Sequence, residues 1–131
     1  MYMNTEYNPN VIINLNNGIY IFDNEPATGK TRLCKHLKKL KAYGEPVDSF
    51  TYNDLLRGDK LDTVLIPDNK VILLDRYDMY RNDGHDLINE CAKDSIILIA
   101  CNTPFIGSLY SEICYIEMTE DSIEVTLWNK E

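Results

Sequence analysis

The feature that most constrains the fold is the segment of residues 19–33, IYIFDNEPATGKTRL, in which an apolar run breaks into a loop and continues as a helical pattern. The loop ends in Gly29, Lys30 and Thr31. In the pattern GxxxxGK[ST], backbone N–H groups surround phosphates, the lysine reaches the outer phosphate oxygens and the hydroxyl holds Mg²⁺. Because this loop works at a strand-to-helix junction, the segment predicts an α/β fold with a phosphate-binding loop.

One position of the pattern differs, because Asn24 stands where the first glycine is expected. Asparagine adopts left-handed backbone conformations more readily than most other residues, so the loop can still close. The neighbouring carboxylate of Glu25 opposes anion binding unless it meets a cation. The predicted nucleotide-binding residues are Asn24, Glu25, Pro26, Ala27, Thr28, Gly29, Lys30, Thr31 and Arg32.

A second apolar run, residues 71–74, ends directly in Asp75. A carboxylate at the end of a strand near a phosphate loop orders Mg²⁺, so Thr31 and Asp75 are the predicted metal ligands. The alternative is that Asp75 only caps a turn. After a third apolar run, residues 95–100, Asn102 is a candidate for orienting a water molecule, although an Asx turn before Pro104 explains it equally well.

The rest of the chain alternates strand and helix patterns. Residues 29–42 predict a helix with one leucine face, and residues 113–118 and 122–128 predict a closing hairpin. At the N-terminus, Asn16-Asn17-Gly18 separates two apolar runs and predicts an antiparallel hairpin. We therefore expect a three-layer α/β fold with a mainly parallel central sheet and antiparallel hairpins at both termini.

Size and charge limit the classes of function. With 131 residues, the chain is expected to form a single domain spanning residues 1–131. A formal net charge of -8 argues against general binding to nucleic acids or anionic lipids. Four cysteines without metal-ligand spacing, and no long apolar run, predict reduced thiols, no membrane segment and a cytoplasmic location.

These segments together resemble the P-loop NTPases, and within them the ATPase heads of the ABC type and the RecF/SMC type. NEPATGKT is similar to the Walker A motif, VILLD to Walker B, and the closing hairpin to that of those heads. The resemblance implies an ATP–Mg²⁺ site with Lys30 on the phosphates and with Thr31 and Asp75 at the metal. Since family heads work as dimers, it also implies a homodimer or a protein partner.

The chain also departs from that family. Arg76 follows the Walker B aspartate where the family has a glutamate that acts on the attacking water, and Asn102 replaces the switch histidine. Arginine cannot act as a general base. Asn102 and Arg76 are therefore only candidate catalytic residues, and ATP hydrolysis is expected to be weak or to depend on a partner.

Two further interpretations stay open. Asp75-Arg76-Tyr77 resembles the DRY of thymidylate kinases, whose arginine contacts phosphate, but no arginine-rich lid follows and the chain is short. The other interpretation is a non-enzymatic acidic protein that binds or inhibits a basic partner and is built on a degenerate NTPase fold, with a mobile element as a plausible source.

Overall fold

The structure is a computed structural model that describes residues 1–22, 29–79, 85–101 and 112–128. Its strands are β1 (Tyr2–Asn4), β2 (Asn10–Asn14), β3 (Gly18–Phe22), β4 (Val47–Phe50), β5 (Val71–Leu74), β6 (Ile96–Ile99), β7 (Glu112–Met118) and β8 (Ser122–Leu127). Its helices are α1 (Lys30–Ala42), α2 (Tyr52–Leu56) and α3 (His85–Cys91), with 3₁₀ turns at Leu61–Thr63 and Tyr77–Met79. Among these described helices, none combines the length and the apolar character needed to cross a membrane.

The eight strands form one mixed sheet in the order β1-β2-β8-β7-β3-β6-β5-β4. The five strands β7, β3, β6, β5 and β4 are parallel to one another. β8 runs antiparallel to β7, which confirms the predicted closing hairpin. The chain is thus an α/β protein with a parallel centre and mixed pairing at one side.

The predicted N-terminal hairpin of β2 with β3 is wrong. β2 pairs with β1 and β8, whereas β3 pairs with β6 and β7. The N–H of Gly18 instead donates to the carbonyl of Ser95, with an N···O distance of 3.0 Å, as the chain enters the centre of the sheet. An antiparallel pair does occur near the N-terminus, but it joins β1 to β2.

The apolar composition of the strands explains their places. All four residues of β5 and all four of β6 are buried, so these strands need cover on both faces of the sheet. β2 and β8 bury alternate residues and lie towards the side of the sheet. The strands β6 and β5, which are apolar on both faces, therefore lie inside the sheet, on one side of β3.

Two hydrophobic clusters cover the sheet. One joins α1 to alternate residues of the central strands, such as Tyr20 and Leu73. The other joins their neighbours, such as Ile19 and Leu74, to the elements that follow β4 and β5. Because successive residues of a strand point to opposite faces, the two clusters lie on opposite sides of the sheet.

The predicted helix is confirmed as α1. Its leucines at 33, 37 and 40 are buried against the sheet. The ammonium of Lys38 lies 2.8 Å from a carboxylate oxygen of Asp48, which ties α1 to β4. Beyond the helix, Gly44 has a φ of 90°, a conformation that glycine adopts without a steric penalty.

Candidate functional site

The carboxyl ends of the parallel strands meet at one edge of the sheet, and the candidate site lies there. The strand order reverses at β3. After β3 the chain forms β4, β5 and β6 on one side of it, and only then β7 on its other side. In open α/β sheets, ligands bind in the crevice outside the carboxyl ends at such a reversal. Gly29 and Lys30 begin α1, the helix that follows β3 in the chain, while Thr51 and Asp75 directly follow β4 and β5.

Gly29 and Lys30 form the start of α1. Gly29 is the N-cap residue and has no side chain with which to cap the helix, and the first turn carries no acidic residue. The first N–H groups of a helix lack partners within it and favour an anion. The ammonium of Lys30 lies 5.8 Å from the centre of the Phe22 ring, at the end of β3. The start of α1 therefore has the polarity that a phosphate group requires.

Asp75 is the half-buried carboxylate at the end of β5. Its backbone N–H donates to the carbonyl of Phe50, with an N···O distance of 2.8 Å, so the backbone fixes its position. Burial raises the pKa of the Asp75 carboxyl above its ordinary value, while the backbone N–H of Arg76 and the positive charges of Arg76 and Lys30 oppose that rise. Asp75 is therefore a partly buried carboxylate whose charge is favoured by the cations of Arg76 and Lys30.

Arg76 has an unusual backbone conformation. Its φ is 51°, in the left-handed region that non-glycine residues adopt at a cost of roughly 1 kcal/mol or more. Its side chain is exposed, and the guanidinium carbon lies 5.8 Å from the centre of the Tyr52 ring. Such strained positions cluster at functional sites. The backbone turn after β5 thus directs a cation towards the start of α2.

A cleft of about 320 Å³ joins these elements. Its lining comes from α1, from the two ends of α2 and from the residues directly after β5: Thr31, Cys34, Lys35, Thr51, Tyr52, Asn53, Arg57, Asp75 and Arg76. The cleft brings together three of the predicted residues, Thr31, Asp75 and Arg76. Arg32 does not line it; the charge of Arg32 instead acts on His36.

The segment after β4 is the part of the cleft that the sequence prediction missed. Thr51 and Asp54 form a reciprocal capping box, in which the Asp54 N–H donates to the Thr51 hydroxyl and the Thr51 N–H donates to the Asp54 carboxylate. Arg57 pairs with the same carboxylate. The spacing Thr-x-x-Asp signals such a helix start and places Tyr52 and Asn53 at the carboxyl edge of the sheet.

The donors present suit Mg²⁺ bound together with a phosphate. Thr31 and Asp75 line one cleft and supply oxygen ligands, the kind that Mg²⁺ prefers. In proteins, Mg²⁺ is commonly bound by one or two side chains together with phosphate oxygens. Within the described residues, no group of three or more His, Cys, Asp or Glu side chains is arranged around a metal position. The described residues therefore fit Mg²⁺ only together with oxygen ligands from another source, such as a phosphate.

Several predicted site residues lie outside the described residues. These are Asn24, Glu25, Pro26, Ala27 and Thr28 of the loop, and Asn102 after β6. Their predicted roles stay predictions. Comparison of the chain with known proteins produced no relative: no protein-family model, no curated protein and no solved structure matches it.

Proposed function

We propose that this chain is a P-loop protein of three-layer α/β type that binds ATP or another nucleoside triphosphate with Mg²⁺. The observation that carries the proposal is that Thr31, next to Lys30 in the first turn of α1, and Asp75, directly after β5, line one cleft. Thr31 and Asp75 come from separate motifs 44 positions apart in the chain. Their meeting at the edge where α/β sheets bind ligands supports the assignment of both motifs.

Each residue has a defined role in this proposal. Lys30 binds the outer phosphates as a point charge, the N–H groups at the start of α1 bind phosphate oxygens, and Thr31 and Asp75 hold Mg²⁺. The predicted loop residues 24–28 would complete the phosphate site. When bound, Mg²⁺ would neutralise part of the negative charge of the phosphates.

Hydrolysis in this proposal is weak or depends on a partner. Arg76 occupies the position that follows the Walker B carboxylate, and its guanidinium carries only donors. A guanidinium therefore cannot take a proton from an attacking water. A second copy of the chain or another protein would have to provide the missing group. A cytoplasmic location accords with four cysteines that are all free thiols.

Thermal unfolding with and without ATP–Mg²⁺ tests the binding proposal. Ligand at a hundred times its Kd stabilises the folded protein by about 2.7 kcal/mol, which raises the Tm by several degrees. Lys30→Ala should remove most of this rise. Lys39→Ala is the matched control, because residue 39 lies on the same helix about 13 Å further along its axis.

The outcome also separates the two interpretations of the sequence. A rise in Tm that Lys30→Ala abolishes and Lys39→Ala preserves supports the nucleotide site. An absence of any rise in the wild type at millimolar ATP–Mg²⁺ overturns it and favours the acidic binding protein on a degenerate NTPase fold.

A further inference from the structure

A separate cavity lies at the carboxyl end of α1. Its volume of about 470 Å³ is within the range of small-molecule sites, roughly 300–1,000 Å³. Its lining combines Leu40, Tyr43 and Glu45, at and just beyond the end of α1, with residues from the end of β1 and the segment that follows it. Tyr43 is about 20 Å along the helix axis from Lys30. The cavity is therefore distinct from the proposed nucleotide site.

Two tyrosine rings meet at this cavity. Tyr7 and Tyr43 both line it, their ring centres lie 6.2 Å apart, and the ring planes are inclined by 59° to each other. Tyr43 is 76% exposed, although its side chain is large and aromatic. A cation interacts favourably with an aromatic face within about 6 Å of the ring centre. A single cation in the cavity can therefore interact with both rings.

Tyr7 is held in position by its neighbours. Its hydroxyl oxygen lies 2.6 Å from Nδ1 of His36, and its ring packs edge-on against the His36 ring. The backbone N–H groups of Glu6 and Tyr7 donate to Oδ1 of Asn4, with N···O distances of 3.0 and 2.9 Å. Because the ring is already fixed, less conformational entropy is lost when a ligand binds against it.

Glu45 adds a fixed carboxylate to the cavity. Its Oε1 accepts hydrogen bonds from the Tyr2 hydroxyl, at 2.7 Å, and from the Asn4 side-chain amide, at 2.8 Å. Among the described residues, no lysine or arginine forms an ion pair with Glu45 or with Glu6, the other carboxylate of the lining. The dipoles of the 13-residue helix add partial negative charge at this end of α1. The cavity therefore favours a positive charge.

The basic side chains of the last turn of α1 do not line the cavity. Lys41 donates to the side-chain oxygen of Asn69, with an N···O distance of 3.1 Å, and the charge of Lys39 acts on His36. Burial is the main cause that lowers the pKa of His36 below its ordinary value of about 6.5, so the imidazole is mostly neutral near pH 7. A cation that enters the cavity is thus not opposed by a charged histidine.

We propose that the cavity between Tyr7 and Tyr43 binds an alkylammonium group, with the two rings against its alkyl carbons and with Glu45 balancing its charge. Aromatic faces suit quaternary ammonium groups in particular. An ammonium that carries hydrogens is more strongly hydrated, so we expect methylation to tighten binding. The group can belong to a free small molecule or to the methylated lysine side chain of a protein. This inference does not depend on the proposed nucleotide site.

NMR titration of the full chain with choline tests the charge preference. The matched probe is 3,3-dimethylbutanol, which has the same shape as choline but a carbon atom in place of the nitrogen, and therefore no charge. We expect choline to bind about threefold or more tightly than the neutral alcohol. Equal affinities would show an apolar cavity without cation selectivity and would overturn the proposal. The absence of choline binding at millimolar concentrations would also overturn it.

Variants locate the bound cation. Tyr43→Ala should weaken choline binding about threefold or more, whereas the matched change Tyr43→Phe keeps the ring and should preserve it. Glu45→Gln keeps a side-chain oxygen for Tyr2 and Asn4 but removes the charge, so it should also weaken binding. If choline binds equally well to Tyr43→Ala and Glu45→Gln, its site lies elsewhere and the proposal is wrong. Circular dichroism checks that each variant is folded.

Peptides distinguish the two sources of the alkylammonium group. One short peptide carries a trimethyllysine and its control carries an unmodified lysine. Tighter binding of the trimethyllysine peptide than of choline would assign the site to a protein side chain, and the reverse order would assign it to a free small molecule. Tighter binding of the unmodified peptide than of the methylated one would contradict the proposed role of the two rings.

Discussion

Gly29 and Met118 are in such close contact that a Cβ atom on Gly29 would lie 2.9 Å from the sulfur of Met118. The same atom would lie 3.0 Å from a methyl carbon of Ile116. The start of α1 thus packs directly against β7. A side chain at position 29 would therefore require Met118 or Ile116 to shift.

We predict that Gly29→Ala destabilises the protein by about 1–3 kcal/mol, the usual cost of overpacking a well-packed site. Denaturant unfolding measures this change. Met118 can move at its flexible end, so a double-mutant cycle with Met118→Ala should show that part of the cost is recovered. Strictly additive effects of the two changes would contradict the close contact as the cause.

Asp75→Asn should separate stability from ligand binding. Burial disfavours the charged form of Asp75, so replacing it with a neutral side chain of the same shape should not lower the Tm of the free protein. The effect of ATP–Mg²⁺ on Tm should fall, because an amide is a poorer Mg²⁺ ligand than a carboxylate. A lower Tm without ligand, combined with an unchanged ligand effect, would assign Asp75 a structural role only.

Arg76→Gly should leave the free protein at least as stable as the wild type. Glycine adopts a φ of 51° without strain, which offsets the greater chain entropy that it gives to the unfolded state. Arg76→Val is the matched change in the other direction and should cost about 1 kcal/mol or more, since β-branched residues are poorly tolerated at positive φ. Equal stabilities of the glycine and valine variants would show that the backbone there relaxes.

His36 makes part of the stability dependent on pH. Its Nδ1 lies 2.6 Å from the Tyr7 hydroxyl oxygen, and burial, together with the charges of Lys39 and Arg32, lowers the pKa of His36. The unfolded state therefore binds more protons, so this contribution to stability is present above the unfolded pKa of about 6.5 and is lost as the pH falls through the folded pKa.

The variant His36→Gln measures that contribution. The stability difference between wild type and variant should be larger at pH 8 than at pH 5.5. Lys39→Ala removes one of the causes of the shift, brings the folded pKa of His36 closer to the unfolded one and should make the loss smaller. A difference that is constant across this range would mean that His36 titrates alike in both states.

The sequence predicted most of the strands and helices around the site, but not how the strands pair with one another. The apolar runs of β5 and β6, the leucine face of α1 and the alternation in β7 and β8 are strong local signals, and each element formed where it was expected. The Asn16-Asn17-Gly18 sequence wrongly predicted that β2 pairs with β3, because it reports only a local preference for a turn and not which strands pair. The pairing of β3 is decided by burial on both of its faces, which requires parallel neighbours from distant parts of the chain.

The cleft wall was also beyond sequence reasoning. Lys35 lines the cleft but was not among the predicted site residues, and the contact of Arg76 with Tyr52 joins residues that follow two different strands. No local pattern in the sequence indicates a positive φ at an arginine such as Arg76. The Thr51-x-x-Asp54 spacing was the one available signal for this wall.

A crystal structure with Mg²⁺ and a non-hydrolysable ATP analogue tests the central claim most directly. The account predicts that oxygens of the β- and γ-phosphates lie about 2.7–3.2 Å from the Nζ of Lys30 and from N–H groups at the start of α1. It also predicts Mg²⁺ between Thr31, Asp75 and the phosphates. Phosphates bound elsewhere on the protein, or no bound nucleotide at saturating concentration, would contradict the account.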